Sequence, residues 1–332
     1  MSRSMRIFAI LFILLLIGGG MAGGLFAFGY AQFVKPGPLQ VPATVIIAKG
    51  AGLKSIADQL HRDGILQFPL VFRLGARLTE ADKQLKAGEY VLPRGVTPQG
   101  ILVLLQSGKT VVRRLTMAEG LTSFEIIKRL NAVEGLIGTA APSPEGSLLP
   151  ETYHFSLGDS RQKIADRMSA DMRRELNLLW LSRDADLPLK SPDEALVLAS
   201  IVERETGVAS ERARVAAVFV NRLRRGMKLQ SDPTVVYGIT LGKRALGRPL
   251  SRADLKNPTP YNTYTIDALP PGPIANPGRS AIEAVLHPTR TKEIYFVADG
   301  SGGHAFAKTL TEHNRNVARW RKFQKQKPKS GK

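Results

Sequence analysis

Two glutamates close an apolar run in LASIVERETGV, residues 198–208: Glu203 and Glu205, with Arg204 between them. On a helical wheel Ala195, Leu196, Val197, Leu198, Ala199, Ile201 and Val202 cover nearly the whole circumference, so this helix is expected to be buried all round. A carboxyl at the end of such a helix loses water, and lost water favours the neutral acid and raises its pKa. A carboxyl still protonated near neutrality is what glycosidic bond cleavage needs to protonate the leaving oxygen. The competing reading is a structural salt bridge to nearby arginines. Side chains on a helix lean toward its N-terminus, which sets Glu203 over small Ala199 and Ser200 and sets Glu205 over Ile201 and Val202. Small neighbours leave space beside Glu203, as a cleft requires, so the wheel leans weakly to Glu203 without excluding Glu205.

Other chemistries find little support. The chain has no cysteine, which excludes disulfides, thiolate catalysis and cysteine-type zinc sites. There is no G-x-S-x-G, and the S-x-x-K at Ser160–Lys163 lacks the companion motifs of penicillin-binding enzymes. His61, His154, His287, His304 and His313 form no H-E-x-x-H, so neither a metal nor a cofactor is expected. DGSGG at 299–303 reads as a turn rather than a phosphate loop. A proline-rich stretch, NPTPYNTYTIDALPPGPIANPG, places Tyr261, Asn262 and Tyr264 on stiff backbone, the aromatic and amide groups that suit a saccharide. Gln230, Asp232 and Thr234 just upstream add polar contacts.

The elements that must position these groups are legible as periodicities. The acid-bearing helix has Ser191 as cap, Pro192 at its first position and Glu194 three residues after the cap. SERARVAAVFVNRLRRG reads as the next helix, capped by Ser210, burying Val215, Val218 and Phe219 and stopping at Gly226. RQKIADRMSADMRRELNLLW is amphipathic. EIYFVADGSGGHAF reads as a hairpin turning at Asp299–Gly303, followed by a last helix in TLTEHNRNVARWRKF. Nearer the N-terminus a weak repeat aligns on Gly50, Gly95 and Gly120. Each glycine follows a strand-like run, with Ile six residues later (Ile56, Ile101, Ile126) and Leu ten later (Leu60, Leu105, Leu130). Ile and Leu four apart share a helical face, so the unit is strand, glycine turn, helix, three times over.

Residues 7–30 carry no charge, and 24 residues of helix span roughly 36 Å, enough to cross a hydrocarbon core of about 30 Å. This is longer than a signal-peptide core, and the leading arm MSRSMR is basic, so an uncleaved anchor with a cytoplasmic N-terminus is expected. The net charge of +19 suggests a polyanionic neighbour, part of it contributed by the tail RKFQKQKPKSGK, read as disordered. An extracytoplasmic location weakens nucleic acid as that neighbour and favours anionic lipid headgroups and cell-wall polymer.

Taken together, the blocks EGSLLPETYHF (from Glu145), LASIVERET, FVNRLRRGMKLQSDPTVVYG, YNTYTIDALPPGPIANPG and HPTRTKEIYFVADGSGGHAFAKTLTEHN resemble the membrane-anchored endolytic murein (lytic) transglycosylases, the YceG-like proteins. Leu149 and Glu151 stand where that family often has an aromatic and Asp, and Ala268 where Gly is frequent. The resemblance implies that the acid and base is the first glutamate of IVERET, Glu203, with Glu205 and Glu151 in support and Tyr237 among the sugar contacts. It implies a non-hydrolytic cut between N-acetylmuramic acid and N-acetylglucosamine that leaves 1,6-anhydro ends on nascent strands, and a membrane strand polymerase as partner. It also implies an α+β fold: a transmembrane helix, a small LysM-like βα module, then a mainly helical catalytic domain with a short sheet. The expected division is an arm at 1–6, the anchor at 7–30, a linker at 31–42, the LysM-like module at 43–112, the catalytic domain at 113–320 and the tail at 321–332. The principal alternative is a non-catalytic peptidoglycan-binding membrane protein that uses the module alone.

Overall fold

The computed structural model describes residues 3–326. The chain is a mixture of helices and three two-stranded sheets, in two compact units. The first unit runs to Arg113 and includes residues 155–158; the second comprises residues 114–154 and continues from Asp159.

The first unit opens with α1 (Arg3–Val34), whose stretch Ile10–Val34 is long and apolar enough to cross a membrane. Then follow β1 (Ala43–Ile47), α2 (Leu53–Arg62), α3 (Pro69–Leu78), β2 (Gly88–Leu92) and α4 (Pro98–Ser107). β1 and β2 pair antiparallel, with Val45 opposite Tyr90. The repeat appears as aligned: Gly50 and Gly95 take φ of 82° and 64°, which only glycine adopts freely, and the chain turns there from strand into helix. Ile56, Leu60, Ile101 and Leu105 are all buried in one core with Tyr90 and Phe72. Helix α3 lies between the first two copies and has no counterpart in the repeat. Its Gly75 lets the ring of Phe33 pack against the helix; a Cβ there would come 2.3 Å from that ring.

The second unit carries the third copy: Gly120 at φ 74° leads into α5 (Ser123–Asn131), closed by a capping box of Thr122 and Glu125. It follows β3 (Arg113–Thr116), which pairs with β4 (Thr152–Phe155). The core is built by α6 (Arg161–Leu181), α7 (Pro192–Glu205), α8 (Arg212–Arg224) and α11 (Arg279–Leu286). Short α9 (Asp232–Thr240) and α10 (Arg252–Lys256) stand before the proline-rich stretch, and the hairpin of β5 (Tyr295–Ala298) and β6 (His304–Ala307) precedes α12 (Leu310–Gln326).

Helix α7 is the central member. Every residue from Ala195 to Val202 is buried, Ser200 included. Its start is as expected, with Ser191 Oγ accepting from Glu194 N. The start of α8 differs: Ser210 lies in a short 3₁₀ turn, Ala209–Glu211, and the helix begins at Arg212 without a side-chain cap. The basic tail is helical as far as Gln326, where α12 ends; the rest of the expected disordered segment lies outside the described residues.

Candidate active site

Glu203 sits on the last turn of α7, its side chain only 6% exposed. Its Oε2 accepts from the backbone N–H of Gly278 at 3.0 Å. Gly278 is the N-cap of α11, so the carboxyl lies at a helix N-terminus, where free N–H groups and the macrodipole favour an anion. Its Oε1 lies 3.6 Å from Nη2 of Arg212, a charge contact beyond hydrogen-bonding range. Burial pushes the Glu203 pKa above the ordinary carboxyl range. The Gly278 N–H pulls it back, Glu119 raises it, and Arg212 and Arg204 lower it.

The segment that delivers Gly278 is held along α7 by polar bonds. Ser200 Oγ accepts from Ile274 N at 3.0 Å. Two residues on, Asn276 is fully buried and serves as a hub. Its Oδ1 accepts from Leu148 N at 2.8 Å, and its Nδ2 donates to Leu121 O, Ser123 Oγ and, at 3.3 Å, Glu145 Oε1. The wheel reading of Ser200 is corrected here. The space over the small residues of α7 is not open; the proline-rich segment fills it, and the serine is small because a backbone must come close and needs an acceptor.

Glu205 points elsewhere. Its Oε1 accepts from Ser231 Oγ at 2.5 Å, at the N-cap of α9. Burial raises its pKa most. The Ser231 hydroxyl lowers it, Asp232 raises it, and His304 and Arg222 lower it. Its direct partner is thus a hydroxyl, while the Arg222 guanidinium donates to the carbonyls of Ile294 and Leu229.

A family model described as YceG-like matches residues 45–319. The chain belongs to the YceG-like family. It is 30% identical to the endolytic murein transglycosylase of Bacillus subtilis (strain 168) over 88% of this chain and 89% of that protein. It is 30% identical to the endolytic murein transglycosylase of Streptococcus pneumoniae (strain ATCC BAA-255 / R6) over 93% of this chain, and spans only 64% of that relative's length. A solved YceG-like protein of Listeria monocytogenes is 29% identical, with a TM-score of 0.49 over 83% of this chain and 99% of that one.

The other residues expected at the site of this YceG-like chain divide into two groups. Asp232 and Tyr237 line a cavity of about 350 Å³ with Arg204 and Ile274, immediately along the chain from Glu203. Tyr264 bonds Asp232 through its hydroxyl at 2.7 Å, and the Tyr261 ring packs 4.8 Å from that of Tyr237. Gln230 is exposed and takes the left-handed φ of 53°. Thr234 and Asn262, by contrast, have no exposed surface. Thr234 Oγ1 donates to Ser231 O, and Asn262 Nδ2 binds the carbonyls of Asp254, Leu255 and Asn257. Their polar atoms are occupied inside the protein, so they shape the loops and offer nothing to a sugar. Glu151 is exposed, and no described contact joins it to Glu203; among the described residues its side chain accepts only from the next N–H, at 3.4 Å. The more enclosed acid of that block is instead half-buried Glu145, which accepts from Ser123 N at 2.7 Å and has its pKa raised by desolvation. No group of His, Asp and Glu among the described residues is arranged to hold a metal ion. The wheel had no means of finding Glu119, Arg212, Asn276 and Gly278, since none of them lies on the helix that carries Glu203. The only local signal was a lone amide among apolar residues and prolines in PPGPIANPG.

Proposed function

We propose that this protein is an endolytic murein transglycosylase, a lyase that cuts the bond between N-acetylmuramic acid and N-acetylglucosamine in peptidoglycan. Glu203 is its catalytic acid and base. The observation that carries the assignment is a nearly enclosed carboxyl, raised in pKa by burial, with one oxygen fixed by Gly278 N and the other free of hydrogen bonds in the described structure.

The protonated carboxyl gives its proton to the glycosidic oxygen as that oxygen's bond to the muramyl anomeric carbon breaks. The muramyl 6-hydroxyl closes onto the same carbon, and its proton returns to the Glu203 carboxylate. The acid is regenerated, no water is consumed, and the product ends in a 1,6-anhydro ring. One carboxyl suffices because the substrate supplies the nucleophile, unlike the paired carboxylates of glycoside hydrolases. Oε2 accepts the Gly278 N–H, which leaves Oε1 to carry the proton.

Asp232, Tyr237, Tyr261, Tyr264 and Gln230 are the sugar-contacting set, with Glu205 in support through Ser231. The first unit acts as a LysM-like binding module; the order β1, α2, α3, β2 with an antiparallel pair supports that reading. Helix α1 anchors the chain in the bacterial inner membrane with its N-terminus in the cytoplasm, and everything after α1 acts outside. There the excess of cations suits anionic lipid headgroups and wall carboxylates rather than nucleic acid. The strands cut are nascent ones, so the cut ends elongation beside a membrane polymerase.

Glu203→Gln tests the assignment. It keeps the Gly278 bond and removes the transferable proton. Mass spectrometry of digested sacculi is expected to show anhydro-ended muropeptides falling at least ~100-fold, the scale of a lost general acid. Equal release by wild type and variant refutes it and leaves the non-catalytic binding protein.

A further inference from the structure

Glu119 and the missing side chain of Gly278 have no part in the steps above, yet they meet at the proposed acid. Glu119 lies in the turn before α5. Its Oε2 is 3.7 Å from Nη2 of Arg212, the same nitrogen that lies 3.6 Å from Glu203 Oε1. Gly278 has φ −74°, an ordinary value, so its backbone does not call for glycine. A Cβ at Gly278 would fall 1.7 Å from Glu119 Oε1. Glycine at this position therefore makes room for a carboxylate against the very residue whose N–H binds Glu203. Arg212 is fixed as well: its Nη1 donates to Ser280 Oγ at 2.5 Å in the first turn of α11, and its Nε is buried without a partner among the described residues.

We infer that Glu119 is a positioning residue for Glu203, seated on Gly278 so that its carboxylate draws on the one guanidinium that would otherwise belong to the buried acid. The inference rests on reading Glu203 as that acid. The charged groups facing Glu203 are Arg204 from its own helix, Arg212 from α8 and Glu119 from the turn before α5, with the Gly278 N–H at the head of α11. Both arginines and the N–H favour the carboxylate. Glu119 alone among them favours the protonated acid that must begin the reaction, in the same direction as burial. The two carboxyls differ in exposure: Glu119 is 42% exposed, at the solvent edge, whereas Glu203 is enclosed.

The test is the pH dependence of kcat/KM for anhydro-end formation by the full chain in detergent, whose alkaline limb reports the acid. Glu119→Gln removes a like charge and frees Arg212 to pair with Glu203. Both lower the pH at which the acid loses its proton. The alkaline limb is expected to move down by about half to one pH unit, a charge effect discounted for solvent screening. Gly278→Ala keeps the N–H but evicts the Glu119 carboxylate, and is expected to move the limb the same way. The double variant should move no further than either single change. A limb that stays in place in both folded variants, beside an inactive Glu203→Gln, overturns this inference alone. Full product formation by Glu203→Gln overturns the assignment of the acid and this inference with it. A merely structural role for Glu119 would lower activity equally at every pH.

Discussion

Replacing Asn276 by Ala should unfasten the segment that carries Gly278 to the acid. The backbone bonds survive: Asn276 N to Leu121 O at 2.8 Å and Gly120 N to Asn276 O at 3.0 Å. The side-chain bonds all go. Leu148, itself fully buried, loses the only acceptor its N–H has among the described residues, and Glu145 loses the amide donor. A buried donor left unpaired costs about 1–3 kcal/mol, and the missing amide volume adds roughly 1 more. A loss of about 2–4 kcal/mol lowers the midpoint of a domain of this size by about 5–15 °C. Calorimetry of the full chain in detergent measures it, with muropeptide release followed in parallel below the transition. Asn276→Asp separates hydrogen bonding from charge: it still accepts from Leu148 N but sets a carboxylate beside Glu145. It should melt nearer to wild type at pH 5 than at pH 8, because two buried acids tolerate each other only when protonated. A midpoint shift below about 2 °C for Asn276→Ala would refute the hub, and the segment would then be held by its prolines and backbone alone.

Two further predictions concern groups around α9 and the hairpin. Burial holds the Glu205 pKa above its ordinary 4.5, so the folded state keeps a proton that the unfolded chain releases, and stability falls as pH rises from 4.5 through the folded value. Glu205→Gln keeps an acceptor for Ser231 and has nothing to ionise; its melting point should gain on wild type between pH 5 and pH 8, and a constant gap would show that Glu205 does not titrate on folding. Arg222 is buried, with Nε on Ile294 O and Nη1 on Leu229 O, both at 2.7 Å. Arg222→Lys cannot span both carbonyls and should cost about 2–4 kcal/mol in denaturant unfolding; a cost under 0.5 kcal/mol would mean that water satisfies them.

What the sequence revealed of this fold depended on how locally each feature is determined. The three strand–glycine–helix units were legible because a left-handed turn demands glycine and an Ile/Leu pair four apart demands a buried face, both within one short stretch. Helix α9 was not. It is short, and Pro233 stands in its first turn, where a helix tolerates proline but where the residue type alone does not announce a helix. Thr234 and Asn262 passed for sugar contacts because residue type says what a side chain bonds, not whether solvent or its own loop is the partner. Glu151 entered through the resemblance, which carries over positions and not burial; only packing shows that Glu145 is the more enclosed acid of that block.

The choice between Glu203 and Glu205 shows where local reasoning stops. The wheel compared the volumes beneath each acid on their own helix and took smallness for emptiness. In the fold, smallness at Ser200 admits another backbone, and that backbone ends four residues later in the N–H that binds Glu203. Burial does not distinguish the two, since both carboxyls are pushed upward by it. Their surroundings do. Glu205 is spent on a hydroxyl at the cap of α9, a bond that fixes a helix start. Glu203 is met by a helix N-terminus, an arginine too distant for a hydrogen bond and a second carboxylate, groups whose pulls on its proton oppose one another. The role proposed for Glu203, giving up a proton and recovering it in one turnover, needs such a balance, because a single dominant partner would fix its protonation state for good.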